Sequence, residues 1–184
     1  MEDLVVLVDM HDNEMGTMEK LAAHSNGGRL HRAISIFIFN SKDQLMLQQR
    51  ADSKYHSGGL WTNTVCSHPL PRETPIEAAH RKLVQEMGFD CDMHEAFSFT
   101  YEAYVGNGFT EKEFDHVIFG NYDNEPRPNP EEAKGWRWIG LRDLRDEIRR
   151  NPESYTKWLN IVIDNAIESH DRESGRQRHG SVKP

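Results

Sequence analysis

The 184-residue sequence has only two cysteines, Cys66 and Cys91, and no CxxC pair. Zinc clips built on four thiolates, or on a CxxC pair plus two histidines, are therefore excluded. So few thiols also fit a reducing compartment, where a cysteine is catalytic, metal-bound or inert rather than disulfide-bonded. Long apolar runs are missing as well. Nothing approaches the ~20 residues of a membrane span, and the start MEDLVVLVDM is acidic, without a basic region or a cleavage site. A cytoplasmic protein with no membrane partner is expected. Net positive charge is the third absence: the formal balance is -8, which argues against general binding to nucleic acid or anionic membranes. An anionic ligand would have to find local cations.

What remains is enough for one domain with a proper core, and a monomer is expected. LVVLVD (4–9) reads as a strand followed by a turn in HDNEMG, and AISIFIFN (33–40) with QLMLQQR (44–50) reads as a hairpin. Thr74, Pro75 and Glu77 stand at N-cap, N1 and N3, a capping box with proline at its preferred place, and Gly88 supplies a left-handed stop. The pattern predicts a helix over 75–87. FSFTYEAYV (97–105), EFDHVIFGNY (113–122) and GWRWIG (135–140) read as strands, and LRDLRDEIRRN as an amphipathic helix that Pro152 interrupts. Tyr155, Trp158, Leu159, Val162 and Ala166 follow at helical spacing, a core stripe. The fold class is α/β, a mixed sheet flanked by helices, over about 1–170, and DRESGRQRHGSVKP (171–184) reads as a disordered tail.

Ten histidines are many for this length, and position sorts them. His24 ends MEKLAAH, His31 opens the first long strand and His68 follows Cys66. Glu111 and Glu113 form an ExE pair whose carboxylates share one face of a regular strand, where they repel unless a cation sits between them. Three imidazoles and two carboxylates suit magnesium, manganese or zinc.

From Ser67 the chain reads S-x5-E-x7-R-K-L-x-Q-E-x-G-F, with Glu73, Arg81, Glu86 and Gly88 in register. This resembles the Nudix box, G-x5-E-x7-R-E-U-x-E-E-x-G-U (U apolar), but Lys82 and Gln85 replace two of its central carboxylates, which argues against metal-activated hydrolysis. Together with WTNTVCSHP, GTMEKLAAH, RLH, FTYEA and EKEFDH, the segment closely resembles type 1 isopentenyl diphosphate isomerases, enzymes of Nudix fold, from about residue 4 to about 165.

The resemblance implies a single Nudix-like domain that interconverts isopentenyl and dimethylallyl diphosphate. It implies that His24, His31, His68, Glu111 and Glu113 hold one divalent metal (manganese, magnesium or zinc). Glu86 would hold a magnesium shared with the substrate diphosphate. Lys20, Arg50, Lys54, Ser67 and Lys82 are the implied diphosphate contacts. Moving the double bond needs a proton donor and a base on opposite faces of the alkene, and a thiol of ordinary pKa near ~8.5 is mostly protonated at neutral pH. Cys66 answers the first need and Glu113 works on the other face. Trp61 offers a π-face to the tertiary carbocation, and Tyr101 orients Glu113 or polarises the alkene. The competing readings are a Nudix pyrophosphohydrolase acting on a nucleotide diphosphate and a non-catalytic metal-binding module.

Overall fold

The computed structural model describes residues 4–180, with side chains to residue 175. In chain order it contains β1 (Leu4–Val8), β2 (Glu14–Glu19), α1 (Lys20–His24), β3 (His31–Phe39), β4 (Gln44–Arg50), β5 (Trp61–Thr62) and β6 (Val65–Ser67). Then come α2 (Pro75–Met87), β7 (Met93–Gly106), β8 (Phe109–Asn121), β9 (Ala133–Gly140), α3 (Leu141–Arg150), a 3₁₀ turn (Pro152–Ser154) and α4 (Lys157–Gly180). Among the described residues no helix is long and apolar enough to cross a membrane.

The strand β3 organises the molecule. It runs parallel to β8 over nine residue pairs, from His31↔Glu113 to Phe39↔Asn121. On its other side it pairs antiparallel with β6, Ser35 opposite Cys66. The expected hairpin with β4 is reduced to one pair, Phe39↔Leu45, because β4 turns away to pair with β9 and β5. HDNEMG was expected as a turn, but Glu14–Glu19 pairs with β1 as β2.

Alternation along β3 divides the core in two. Ile34, Ile36 and Ile38 pack against α2 through Ala79, Leu83 and Met87. Phe37 and Phe39 face the opposite side, where Leu144, Trp158, Leu159 and Val162 of α3 and α4 cover the sheet. The helix α2 begins where predicted: Thr74 accepts from the Glu77 amide, the Glu77 carboxylate accepts from the Thr74 amide, and the cap at Gly88 is left-handed at φ 74°. Losing such an N-cap costs about 1 kcal/mol. A side chain at Gly88 would also stand 2.5 Å from the Arg127 carbonyl.

The helix α4 continues to Gly180, where disorder had been expected from residue 171. Its packed first half has already met the cost of nucleation. His170 then lies 4.1 Å from the Phe39 ring, and Glu173 pairs with His94 at 3.1 Å. Residues 181–184 of that expected tail lie outside the described residues.

Candidate active site and metal centre

The β3–β8 register places His31 beside Glu113, and β7 adds Tyr101 opposite the same glutamate. The loop after α1 brings in His24 through Gly28, at φ 74°, where a Cβ would sit 2.8 Å from the Thr110 carbonyl of β8. His68 enters just after β6. One ligand atom from each of His24, His31, His68 and Glu113 falls within 4.8 Å of the others.

The chemistry of these donors calls for a cation. The Nδ1 atoms of His24 and His31 lie 2.7 Å from the carbonyls of Lys20 and Arg29. A carbonyl only accepts, so each Nδ1 carries the proton and each neutral ring presents a bare Nε2 inward. The Nε2 of His31 stands 3.2 Å from that of His68 and 3.4 Å from Glu113 Oε1, while the buried Nε2 of His24 has no hydrogen-bond partner. Lone pairs and a carboxylate converging on one point repel unless a positive charge lies among them. A divalent ion fits this donor set.

Glu111 stands slightly apart. Its carboxylate groups with His24 and with His56, a buried histidine of the 51–60 loop that the motif reading did not single out. The Tyr101 hydroxyl lies 2.9 Å from Glu111 Oε2 and 2.6 Å from Glu113 Oε2. Burial and the Glu113 charge push the Glu111 carboxyl well above the ordinary carboxylate range. Burial pushes Glu113 the same way, but a proton shared with the Nε2 atoms of His31 and His68 outweighs it and holds that carboxyl well below the range, a place that a bound cation would fill. Burial drives His68 down to about 3, and burial with the nearby Arg50 charge does the same to His56.

Cys66 lies across β3 from β8. Its Sγ donates to Asn63 Oδ1 at 3.0 Å. The Asn63 amide is oriented by donating to the carbonyls of Ile36 and Val65, so its oxygen must face the thiol. Burial, reinforced by Asp115, pushes the thiol well above its usual pKa. Asp115 donor contact comes from Ser35 at 2.7 Å, and burial and Glu113 raise its own pKa to about 8.

A cavity of about 360 Å³ joins these groups. Cys66, Tyr101, Glu111 and Glu113 line it together with Lys20, Arg50, Lys54, Ser67, Lys82 and Glu86. Lys82 pairs with Glu86 at 3.0 Å and Lys54 pairs with Glu132. Of the box residues, Glu73 and Arg81 are spent on each other at 2.6 Å, and Glu77 on the helix cap, leaving Glu86 as the box carboxylate in the cavity wall.

Trp61 stands away from these groups. It is not part of the cavity wall; its ring lies under the Arg137 guanidinium at 4.7 Å and packs on the α3–α4 core. Trp158 of α4 does line the cavity, beside Tyr55 and Tyr101; its Nε1 donates to Thr62 Oγ1 at 2.9 Å and its ring lies 5.2 Å from Arg50. Trp158 had been read as core, which is also true of its 3 % exposure.

A mixed sheet between helices, with a capped box helix beside a polar cleft, defines a NUDIX-domain protein, and the NUDIX family model matches residues 29–159. Solved structures agree at the level of the fold. A Deinococcus radiodurans protein superposes with a TM-score of 0.75 at 21% identity, covering 89% of this chain and 98% of that one. A MutT protein from Methanosarcina mazei gives 0.63 at 17% identity, covering 79% and 95%. Within that class the chain belongs to the isopentenyl-diphosphate Delta-isomerase family. It is 54% identical to isopentenyl-diphosphate Delta-isomerase 2 of Aromatoleum aromaticum over 91% of this chain and 88% of that protein. It is 47% identical to the Serratia proteamaculans isopentenyl-diphosphate Delta-isomerase over 94% and 96%.

Proposed function

We propose that the chain interconverts isopentenyl and dimethylallyl diphosphate, with Cys66 and Glu113 as the proton donor and acceptor for the forward direction. The observation that supports this most is the contrast between them in one cavity: a thiol held protonated on one flank of β3, an ionised carboxylate on the other. Cys66 delivers its proton to the terminal methylene, the electron pair of the alkene forming the new C–H bond. The tertiary carbocation left behind loses a proton from the adjacent methylene to Glu113, and the C–H pair becomes the new double bond. The reverse reaction exchanges the two roles. Tyr101 anchors Glu113 through its hydroxyl, and Trp158 turns its ring towards the cation in place of Trp61.

Holding the diphosphate falls to Lys20, Arg50, Lys54, Ser67 and Lys82. Lys54 and Lys82 are now paired with Glu132 and Glu86, and both change partner when the more highly charged diphosphate enters. His24, His31, His68, Glu111 and Glu113 would hold a divalent ion, manganese, magnesium or zinc, which supplies fixed positive charge that keeps Glu113 ionised and aimed. Glu86 would hold a magnesium that screens the diphosphate. The box has lost the carboxylates that would activate water, so the diphosphate is bound and kept whole. The protein acts on its small substrate as a cytoplasmic monomer.

The test is to incubate the metal-loaded protein with isopentenyl diphosphate and with a panel of nucleotide diphosphates, measuring dimethylallyl diphosphate and free phosphate. Isomer without phosphate release is expected. Phosphate from a nucleotide, with no isomer formed, would reverse the assignment.

A further inference from the structure

His56 has no part in the ligand set that the motifs suggest, yet its ring stands beside two members of that set, His24 and Glu111. It leaves the 51–60 loop inward, is 5 % exposed, and is wedged edge-on against the rings of Tyr55 at 4.3 Å and Trp158 at 5.9 Å. Its carbonyl accepts from the Arg50 guanidinium at 3.2 Å. The Nδ1 of the ring faces Ser57 Oγ at 3.2 Å, which leaves Nε2 directed at Glu111 Oε1, 3.5 Å away. That gap is long for a hydrogen bond. It is ordinary for two donors on one ion, since ligands at about 2.1 Å stand about 3 to 4.2 Å apart.

The second ligand in that trio decides how many ions are involved. Ligand atoms of His24, His56 and Glu111 lie within 4.8 Å of one another, and His24 is also in the group with His31, His68 and Glu113. The Nε2 of His24, buried and without a partner, has one lone pair and cannot serve two ions. The two groups therefore cannot both be independent sites.

We infer that His56 is a fourth imidazole ligand of this chain's metal centre, entering beside Glu111 and completing a six-donor set with His24, His31, His68 and Glu113. The inference rests on the metal-centre reading above but not on the isomerase chemistry. Six protein donors leave no open position, so the ion acts as a fixed charge and does not bind substrate. Four nitrogens among six donors also shift preference away from magnesium, towards manganese or zinc.

Metal-free protein reloaded with Mn²⁺ tests this by electron–nuclear resonance of the nitrogen couplings and by chelator competition. Wild type is expected to show four imidazole nitrogens. His56→Ala should show three and bind Mn²⁺ on the order of 10- to 100-fold more weakly, and His56→Gln should also show three. Three nitrogens in wild type, or an unchanged spectrum and affinity in both variants, would overturn the inference. Should neither variant fold, the wild-type count alone decides it. A wild type that binds no Mn²⁺ would bring down the metal-centre reading itself.

Discussion

In the proposed reaction Cys66 serves as the proton donor because of where its proton is held. The Asn63 amide cannot flip without losing two backbone acceptors, so the thiol always meets a carbonyl-type oxygen. Trp158 shows how a residue can serve the core and the site together: it is 3 % exposed and fixed to Thr62 by one edge, yet it lines the cavity. A cation–π contribution of about 0.5 to 2 kcal/mol corresponds to roughly 2- to 30-fold in rate. Trp158→Leu should lower kcat by that factor or more, with a smaller change in KM. Trp61→Leu should leave kcat within about 2-fold and act through stability, and steady-state kinetics with a melting curve on each variant separates the two. If Trp61→Leu lost the greater share of kcat, the wall would be misassigned. His24, His31 and His68 could be singled out in the sequence because each sits beside another reactive group. Trp158 and His56 could not, since one shares the spacing of a core stripe and the other lies in a loop with no periodicity.

At the scale of elements, local chemistry was legible wherever it alone decides the outcome. The α2 boundaries follow from Thr74, Pro75, Glu77 and Gly88. What depended on distant partners was not. Trp61–Thr62 and Val65–Ser67 are strands only because β4 and β3 offer them edges, and a two- or three-residue strand has no alternation to read. The helix α1 is five residues long and is capped by the side chain of Glu19, which precedes it. The β3–β8 pairing, which brings His31 to Glu113, joins segments about eighty residues apart, and only a parallel register places them side by side. The ExE pair was visible as two carboxylates on one face; that Glu111 leans towards His56 while Glu113 leans towards His68 was not.

Across the whole molecule, an acidic chain concentrates cations at one cavity and buries an uncompensated set of metal donors beneath it. The metal-free protein should carry the consequence as a pH dependence. His24, His56 and His68 have lowered folded pKa values, so as pH falls below about 6.5 the unfolded chain takes up protons that the folded one refuses. Stability is lost on the acid side. Glu111 and Asp115 have raised values, Asp115 to about 8, so as pH climbs to that level the folded state holds protons the unfolded one has released. Stability is lost on that side too. The melting temperature of metal-free protein should peak near pH 6.5, and Asp115→Asn should flatten the alkaline limb. Added Mn²⁺ should stabilise more at pH 8 than at pH 6, because Glu111 must give up its proton to bind. Calorimetric scans from pH 5 to pH 9, with and without the ion, check all three.

In the proposed reaction Cys66 and Glu113 move protons on opposite sides of a bound alkene. Turnover of isopentenyl diphosphate in heavy water, read by mass and by position of label, tests this most directly. Wild type should place deuterium in a methyl group of dimethylallyl diphosphate, and Cys66→Ala and Glu113→Gln should each lose on the order of 10²- to 10⁴-fold in rate or more while still binding the diphosphate. Full turnover and full label uptake by Cys66→Ala would rule out Cys66 as the source of the proton.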